Sequence, residues 1–414
     1  MSNIIQTCKK AKAAAGYAAQ LSTADKNKLL LSIADALVSP NNVKAILAAN
    51  KKDIVGCTRG AQFVDRLTLT PARIEGIAEG VRQVAKLPDP IGAVIEERTL
   101  YNGLQLSKIR VPLGVVGVIY EARPNVTADI IALALKTGNA VVLRGSKDAY
   151  ASNKAIVDVI KAAVKNTGHK SDFIQLIEDT TREGAGEFMR ARGLIDVLIP
   201  RGSAALIENA VLNSTVPVIE TGAGNCHIYV DKCTDVDMAA NIIINAKCQR
   251  PSVCNAAETL LINEVIAGSF LPLIVGKLNE AGVVVYGDKI AQKACKGVLG
   301  ATEDDYYKEY GALEIAVKVV KDVDEVINHI NKYGTKHSDA IVTKDEAVAK
   351  RFVSGVDSAC VYVNASTRFS DGFEFGLGAE VGISTQKLHA RGPMGLEALT
   401  SAKFVIVGEG QTRG

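Results

Sequence analysis

A cysteine, Cys254, stands in the stretch of this sequence whose residue types are best suited to covalent chemistry. Arg250 and Pro251 precede it, small residues surround it, and the apolar run 260–262 that follows has the composition of a β-strand. A thiol beside a cation in a loop of small residues can be kept accessible and acidic enough to act as a nucleophile. Cysteine is also among the most buried residue types, so a structural thiol would have the same surroundings. The local composition leaves both interpretations open.

The sequence gives little support for disulfides or for cysteine ligands to a metal. The chain has eight cysteines, but no C-x-x-C pair and no His/Cys cluster with the spacing of a zinc site. We therefore expect thiols rather than disulfides, and no bound metal.

The overall composition is that of an ordinary globular protein. The 414 residues are 48% hydrophobic and 22% charged, and a chain of this length is expected to form two or three domains. The formal net charge of +3, without a dense basic run, makes nucleic acid an improbable main partner. No apolar stretch has the length of a membrane span, and the N-terminus lacks the pattern of a secretion signal. We expect a cytoplasmic protein without membrane contact.

The first ninety or so residues have helical periodicity. A capping pattern begins at Ser22, a second helix is predicted over 43–55, and a third opens at Thr70 and Pro71. The strand-like runs 94–100 and 104–111 then flank Asn102-Gly103, which is a strong hairpin signal. A hairpin with few partners in its own chain often completes a sheet in a neighbouring subunit. We therefore expect oligomerisation through this hairpin, with an ordinary surface hairpin as the alternative.

From Gly114 onward strands and helices alternate, which predicts parallel strands with right-handed crossovers. The predicted fold class is α/β, with two consecutive parallel α/β domains and the hairpin as an additional arm. The strands are predicted at 114–120, 140–143, 173–177, 195–199, 216–219, 228–230, 260–262, 283–286, 313–320, 340–342 and 360–363. The principal helices are predicted at 127–136, 150–165, 203–212 and 236–246.

Two basic loops are candidates for holding a phosphate-bearing ligand. No G-x-G-x-x-G stands between a strand and a helix, and there is no P-loop, so a dinucleotide would need another kind of loop. Arg144 to Lys147 follows a strand and precedes a helix, and residues 200–203 repeat that design with Gly202 and with Ser203 placed as a helix cap. Each loop taken alone is also a normal capped turn. Two basic loops in successive units favour a phosphate ligand.

Two polar residues follow predicted strands, where α/β folds place ligands. Asn125 can donate to a developing oxyanion, or it can cap the helix that follows. Glu220 can act as a general base or bind a ribose or loop. The last third adds Arg368 and Arg391 in loops of glycine, aromatic and hydroxyl residues, which suit an anionic small molecule or an ordinary surface.

Long stretches of the sequence resemble the gamma-glutamyl phosphate reductase family, a proline-biosynthesis branch of the aldehyde dehydrogenase superfamily. The segments that carry the resemblance include GVVGVIYEARPNVTADI, GNAVVLRGSK, IPRGSAALI, ETGAGNCHIYVD, NAKCQRPSVCNAAETLLI and GAEVGISTQKLHARGPMGLEAL. They extend over nearly the whole chain. The run around Cys254 and the last of these segments are the most specific.

The resemblance implies a role for several residues. Cys254 matches the superfamily nucleophile, and Asn125 matches the asparagine that forms the oxyanion hole with the backbone N–H of the nucleophile. The residues that match cofactor-binding positions are Arg144, Lys147, Gly202, Ser203 and Glu309. Glu220 matches the general base of hydrolytic aldehyde dehydrogenases, but the implied reaction needs no such base, and we expect Glu220 to contact the cofactor. Arg250, Arg368 and Arg391 are candidates for holding the substrate phosphate or α-carboxylate. Cys248 departs from the family, in which threonine is commoner.

The resemblance also implies an architecture with six segments. Residues 1–93 and 114–223 form a cofactor-binding domain, 94–113 an oligomerisation hairpin, 224–384 the catalytic domain, 385–400 a return to the cofactor-binding domain, and 401–414 an oligomerisation tail.

The implied reaction is the NADPH-dependent reduction of L-glutamyl 5-phosphate to L-glutamate 5-semialdehyde and phosphate, through a thioester on Cys254. A homodimer or homotetramer is expected, and association with glutamate 5-kinase is possible in this family. The alternatives are an acylating dehydrogenase that uses coenzyme A and a non-catalytic binding protein.

Overall fold

The computed structural model describes residues 2–413, apart from the side chains of residues 61 and 62. The chain divides into two compact units. The first contains the chain up to Thr221, the segment Gly376–Gly382 and the chain from Met394 onward, and the second contains Gly222–Phe375 and Ile383–Pro393.

The first unit begins with five helices, of which the sequence predicted the second, third and fifth. They are α1 (Asn3–Ala19), α2 (Thr23–Val38), α3 (Pro40–Gly56), α4 (Ala61–Leu67) and α5 (Pro71–Lys86). The Ser22 hydroxyl caps α2 by accepting from the Asp25 N–H at 3.1 Å. Thr70 caps α5 in the same way, and Pro71 stands at its first position, where no N–H is needed.

The predicted hairpin is confirmed. Its strands are β1 (Val94–Thr99) and β2 (Gln105–Pro112), which pair antiparallel. Gly103 in the turn has a φ of +84°, a conformation that glycine adopts without a steric penalty. The Leu100 N–H donates to the Leu104 carbonyl at 2.8 Å and closes the turn.

A four-stranded parallel sheet forms the centre of the first unit, in the order β5-β4-β3-β6. Strands β3 and β4 are buried along their whole length, which explains their uninterrupted apolar sequences. The elements are β3 (Val115–Tyr120), α6 (Pro124–Lys136), β4 (Ala140–Gly145), α7 (Tyr150–Asn166), β5 (Ile174–Leu176), α8 (Arg182–Met189), β6 (Val197–Arg201) and α9 (Ala204–Asn213).

The strand predicted at 216–219 is wrong, because only a single parallel bridge between Leu198 and Val218 forms there. Leu198 bonds the backbone of Pro217 and Ile219, at 2.8 and 2.9 Å. Continuing the ladder would need a donor at residue 200, and Pro200 has no N–H.

The second unit has a seven-stranded sheet in the order β10-β9-β11-β8-β7-β12-β13, with every neighbouring pair parallel. This confirms the predicted α/β class. Its elements are β7 (Cys226–Val230), α10 (Val236–Cys248), β8 (Ala257–Asn263), α11 (Glu264–Glu280), β9 (Val284–Gly287), α12 (Lys289–Ala294), β10 (Leu299–Gly300), α13 (Glu303–Tyr307), β11 (Glu314–Val320), α14 (Val323–Tyr333), β12 (Ser338–Val342), α15 (Glu346–Gly355) and β13 (Cys360–Val363).

Alternate residues of the central strands belong to two apolar clusters. Ile228 of β7 and Leu260 of β8 pack into the larger cluster, whereas Tyr229 and Leu261 pack into the smaller one. Side chains of a strand point alternately to its two faces, so both faces of this sheet are covered.

The end of the chain differs from the predicted segmentation. The short strands β14 (Ile383–Ser384) and β15 (Gly392–Pro393) pair with each other in the second unit, and the Ile383 carbonyl accepts from the Gly222 N–H at 3.1 Å. The predicted return to the cofactor-binding domain at 385–400 is therefore wrong for residues 385–393. Residues 376–382, predicted in the catalytic domain, belong to the first unit, where Gly378 approaches Leu87.

The final strand, β16 (Thr400–Val407), extends the hairpin into a sheet of order β1-β2-β16. It pairs antiparallel with β2 along its whole length. The expectation that the hairpin has few partners in its own chain is thus wrong, because the predicted tail supplies one. Oligomerisation through this sheet stays a prediction; Phe404, Ile406 and Val407 are exposed on β16.

Among the described residues, no helix combines the length and the apolar character that a membrane span requires. Nor does the described part of the chain bring three or more His, Cys, Asp or Glu side chains together in an arrangement that could hold a metal ion.

A histidine of α14, His329, is buried in the second unit without a hydrogen-bond partner among the described residues. His329 is 3% exposed, and its ring lies against those of His227, Tyr306 and Tyr333, at centroid distances of 5.5, 5.2 and 4.4 Å. Within the described residues neither of its ring nitrogens has a hydrogen-bond partner. Burial lowers the pKa of His329 from 6.5 to about 2, and the electrostatic influence of His227, Lys318 and Lys332 acts in the same direction.

We predict that replacing His329 by Phe reduces the loss of stability in acid. Because the native state resists protonation of His329, the unfolded chain binds one more proton below its ordinary pKa of 6.5. Below that pH, His329 lowers the free energy of unfolding by about 1.4 kcal/mol for each pH unit that the pH falls. Urea unfolding at about pH 7.5 and about pH 5 measures this difference. Equal pH dependence of the wild type and His329→Phe would contradict the prediction.

Candidate active site

Cys254 lies in the second unit, in the segment 249–256 that joins α10 to β8, and it is half-buried. It therefore stands at the amino end of β8, a strand flanked by β7 and β11. Neighbouring parallel strands begin at the same edge of a sheet, so the starts of β7 and β12 lie beside this segment. Ligands of α/β folds usually bind at the carboxyl ends of the strands, so that rule does not predict a site at this amino-terminal edge.

The backbone of Gly224 packs directly against the backbone of Cys254. A Cβ built on Gly224 would lie 1.4 Å from the Cys254 carbonyl oxygen and 2.6 Å from its Cα atom. No residue with a side chain fits there without moving the Cys254 segment. Gly224 is thus a glycine needed for the close approach of two backbones.

Cys226 supports the same segment through its thiol. The Cys226 Sγ donates to the Cys254 carbonyl oxygen at 3.2 Å, and it lies 3.7 Å from Nδ1 of His337. Burial raises the pKa of Cys226 well above its ordinary value, and the negative charges of Asp339 and Cys254 act in the same direction. Cys226 therefore remains a neutral thiol that can donate a hydrogen bond.

Asn255, the residue after the candidate nucleophile, anchors the segment on its other side. Its side chain is 3% exposed and donates to the carbonyl oxygens of Ser370 at 2.8 Å and of Arg368 at 3.3 Å. Its own carbonyl accepts from the Thr367 hydroxyl at 2.7 Å. Cys254 is consequently flanked by backbone and side-chain contacts that restrict its position.

A chain of hydroxyl groups continues from this anchor. The Ser370 Oγ is 2.6 Å from the Ser338 Oγ and 2.7 Å from the Tyr362 hydroxyl, and Ser338 in turn lies 2.9 Å from Nδ1 of His337. The network satisfies polar groups that would be costly to bury alone. The sequence offered no signal for it, because its members come from separate strands and loops.

Two of the three predicted substrate-binding arginines are close to Cys254. Arg368 is half-buried and donates to Asn255 Oδ1 and, at 2.9 Å, to Gln249 Oε1. Burial lowers the pKa of Arg368, and so does the positive charge of Arg250, while the negative charges of Asp371 and Cys254 oppose them. The Arg368 guanidinium is therefore electrostatically coupled to Cys254.

The third arginine, Arg391, is paired with a carboxylate of the second unit. Its guanidinium donates to Asp357 at 2.8 Å, and Lys387 and Lys336 also contact this carboxylate, at 2.7 and 3.5 Å. Hydrogen bonds from Lys387 and Arg391 lower the pKa of Asp357 to about 2. The structure thus gives Arg391 an ion-pair partner, which the sequence did not predict.

Glu309 and Cys248 also lie in the second unit. Glu309 is exposed in the segment after α13, and its charge contributes to raising the pKa of Cys226, after burial and the charges of Asp339, Cys254 and Glu258. Burial raises the pKa of Cys248, which ends α10, so it is a weaker nucleophile than an exposed thiol.

In the first unit, Asn125 lies in the first turn of α6 and is exposed. Arg123 occupies the N-cap position and Pro124 the first helical position, so the capping alternative for Asn125 is wrong. Asn125 Nδ2 donates instead to Asp129 Oδ2 at 3.2 Å, one turn further along the helix. This leaves its second amide hydrogen for another acceptor.

Asp129 was missed from the sequence, although its spacing from Asn125 is that of neighbours on one helix face. Burial raises the pKa of Asp129 to about 6, while the hydrogen bond from Asn125 and the charge of Arg201 oppose that shift. Its carboxylate orients the Asn125 amide.

The first basic loop presents unsatisfied donors. Arg144 at the end of β4 is 8% exposed and donates through Nη2 to the Thr181 carbonyl at 2.6 Å. Its Nε and the hydroxyl of Ser146 are buried and lack hydrogen-bond partners among the described residues. Lys147 next to them is exposed. Two orphaned donors beside a lysine fit an anionic ligand.

The second basic loop is arranged differently. Ser203 caps α9, as predicted, but the carboxylate of Glu121 accepts from its N–H at 2.9 Å and from its hydroxyl at 3.3 Å. A Cβ on Gly202 would lie 2.7 Å from the same carboxylate. In this conformation the N-terminus of α9 already has an anion, so the Arg144 loop is the better phosphate site. Glu220 is half-buried and lies two residues after Val218, which forms the single bridge with Leu198.

The comparisons with known proteins agree on one family. The model of the aldehyde dehydrogenase family matches residues 2–297. The gamma-glutamyl phosphate reductases of Carboxydothermus hydrogenoformans and Clostridium beijerinckii are 55% and 54% identical to the chain, and each match covers 100% of both proteins. The solved structure of gamma-glutamyl phosphate reductase from Thermotoga maritima matches with a TM-score of 0.96 and 47% identity over 100% of both chains.

We predict that Gly224→Ala destabilises the Cys254 segment. The added methyl group would overlap the Cys254 carbonyl, and the forced shift should lower the free energy of unfolding by about 3 kcal/mol. Thermal unfolding and hydrogen exchange of amides 249–256 measure the effect. Gly268→Ala is the matched control, because Gly268 lies exposed in α11 with no atom within 4 Å of the added carbon. A Gly224→Ala variant as stable as this control would contradict the prediction.

Proposed function

The chain belongs to the aldehyde dehydrogenase family and, within it, to the gamma-glutamyl phosphate reductases, and we propose that it reduces L-glutamyl 5-phosphate to L-glutamate 5-semialdehyde and phosphate in proline biosynthesis. The observation that carries the proposal is the half-buried Cys254, held by Gly224, Cys226 and Asn255 in a chain that matches these reductases over its whole length.

Cys254 is the proposed nucleophile. Its thiolate attacks the acyl carbon of glutamyl phosphate, and the tetrahedral adduct collapses with loss of phosphate, which takes the electron pair of the broken C–O bond. A thioester between the glutamyl group and Cys254 remains. The positive charge of Arg368 supports the thiolate before attack, because it is electrostatically coupled to Cys254.

Asn125 is the proposed side-chain donor to the oxyanion, and the Cys254 backbone N–H is the second donor. The hydrogen bond from Asn125 to Asp129 supports this role because it fixes the amide plane. Arg250 and Arg368 are proposed to hold the phosphate or the α-carboxylate, since guanidinium groups bind both anions through paired hydrogen bonds. Arg391 would have to leave Asp357 to do the same.

Aldehyde dehydrogenases use nicotinamide cofactors, and we propose NADPH for this chain. When bound, the cofactor supplies the hydride that reduces the thioester carbon. The orphaned donors of Arg144 and Ser146 and the adjacent Lys147 would hold one of its phosphates. Ser203 and Gly202 would contribute after displacement of Glu121, while Glu309 and Glu220 are proposed to contact ribose hydroxyls.

The remaining proposals concern location and assembly. We propose a cytoplasmic location, as the sequence predicted. We also propose a homodimer or homotetramer, which the exposed apolar residues of the β1-β2-β16 sheet support. Association with glutamate 5-kinase would protect an unstable acyl phosphate in transit. No water attack on the thioester is required, so Glu220 needs no role as a general base.

The proposed function is tested in the reverse direction, by NADP⁺ reduction with glutamate 5-semialdehyde. We expect turnover that depends on inorganic phosphate, slower turnover with NAD⁺, and none with coenzyme A in place of phosphate. Dependence on coenzyme A would instead assign the alternative acylating reaction. Absence of turnover under all conditions would indicate a non-catalytic protein.

Cys254→Ala should abolish this turnover and leave NADP⁺ binding unchanged, because the thioester cannot form. Cys233→Ala is the control, since Cys233 is an exposed thiol outside the proposed site. Residual phosphate-dependent turnover in Cys254→Ala would show that the reaction does not pass through this thioester.

Asn125→Ala should lower kcat by roughly 10²–10³-fold if its amide stabilises the oxyanion. Asn125→Asp should be equally impaired, because it keeps the size of the side chain but removes the donor. Asn213→Ala, an exposed position at the end of α9, should be unaffected. A loss of thermal stability in Asn125→Ala with normal kcat would contradict the catalytic role.

A further inference from the structure

A buried ion pair spans the segment that carries Cys254. Nζ of Lys247 lies 2.6 Å from Oε2 of Glu258, and both side chains are 0% exposed. Lys247 stands in the last turn of α10 and Glu258 near the start of β8. The pair therefore joins the two ends of the segment 249–256 across its base.

The second carboxylate oxygen of Glu258 reaches a different part of the second unit. Oε1 accepts from the Gly311 N–H at 3.2 Å. Gly311 is two residues after Glu309, the residue proposed to contact the cofactor, and has a φ of +60° that favours glycine. One carboxylate thus links Lys247, which lies just before the nucleophile segment, to the segment 309–311.

The buried position of Glu258 disfavours its charged form. Burial raises the pKa of Glu258 to about 7, and the charge of Glu309 acts in the same direction, while Lys247 opposes both through its charge and hydrogen bond. Burial also lowers the pKa of Lys247. Buried ion pairs seldom stabilise a fold more than apolar residues of similar volume would. Fold stability alone does not explain the pair.

We propose that Glu258 is a positioning residue that ties the Cys254 segment to the segment 309–311, with Lys247 keeping its carboxylate in place. The proposal rests on the proposed function, because it assigns Glu309 to the cofactor and Cys254 to the thioester. Glu258 touches neither reactant. It acts by holding two reacting partners at a fixed separation, to which reaction rates are sensitive.

Two double variants separate the link to Gly311 from the ion pair itself. Lys247→Met with Glu258→Gln removes both charges and retains an oxygen that can accept from Gly311. Lys247→Met with Glu258→Met removes the charges and the acceptor. We expect the first to keep kcat within about threefold of the wild type, and the second to lose at least about tenfold in kcat with a raised KM for NADP⁺.

A readout without substrate or cofactor is alkylation of Cys254 by iodoacetamide, followed by peptide mass spectrometry. Its rate should be close to that of the wild type in the glutamine variant and should differ at least about threefold in the methionine variant. This measurement remains informative if phosphate-dependent turnover is not found, so failure of the proposed function and failure of the positioning role are distinguishable.

The matched control is the buried pair Lys26–Asp89 of the first unit, at 2.9 Å, whose side chains are 2% and 7% exposed. Lys26→Met with Asp89→Asn should lower the melting temperature but leave kcat, KM and Cys254 alkylation unchanged.

If the methionine variant of Glu258 does not fold, asparagine replaces methionine, because it is one methylene shorter than glutamine and withdraws the acceptor. Equal kinetics and equal alkylation rates in the acceptor-retaining and acceptor-lacking variants would overturn the proposal.

Discussion

The contact between the backbones of Gly224 and Cys254 is the constraint on which the candidate nucleophile depends. A thiolate in a loop is useful only if the loop does not move, and a hydrogen-bonded loop of small residues has little side-chain packing to hold it. Here the loop lies directly on the residues that lead into β7, with no room for a side chain between them. Because Cys226, at the start of β7, donates to the same carbonyl, the position of Cys254 is set by a neighbouring strand.

Buried polar groups complete this arrangement. Asn255, the Ser338–Ser370–Tyr362 hydroxyl chain and the Lys247–Glu258 pair all lie around the segment 249–256. Each would be costly to bury without partners, and each has partners in elements distant along the chain. Such a network contributes little net stability compared with apolar packing, but it permits few alternative arrangements of the loop.

The first unit shows why a helix N-terminus alone does not identify a phosphate site. The two basic loops look equivalent in sequence, and both follow a strand and precede a helix. In the structure Glu121 occupies the N-terminus of α9, whereas Arg144 and Ser146 retain buried donors without partners among the described residues. The difference arises from a carboxylate that follows β3, a strand adjacent to both β4 and β6.

The sequence by itself determined the features that depend on neighbours along the chain: the N-terminal helices and their caps, the hairpin at Asn102-Gly103, the alternation of strands and helices, and, through the resemblance, the identity of Cys254. These follow from periodicity, turn chemistry and motif, which act within a few residues. Only the tertiary structure decided that Gly224 serves the nucleophile, that Pro200 limits the 216–219 run to one bridge, and that residues 385–393 stay with the second unit. Each of these depends on which atoms meet after folding, and spacing along the sequence carries too little information about such contacts.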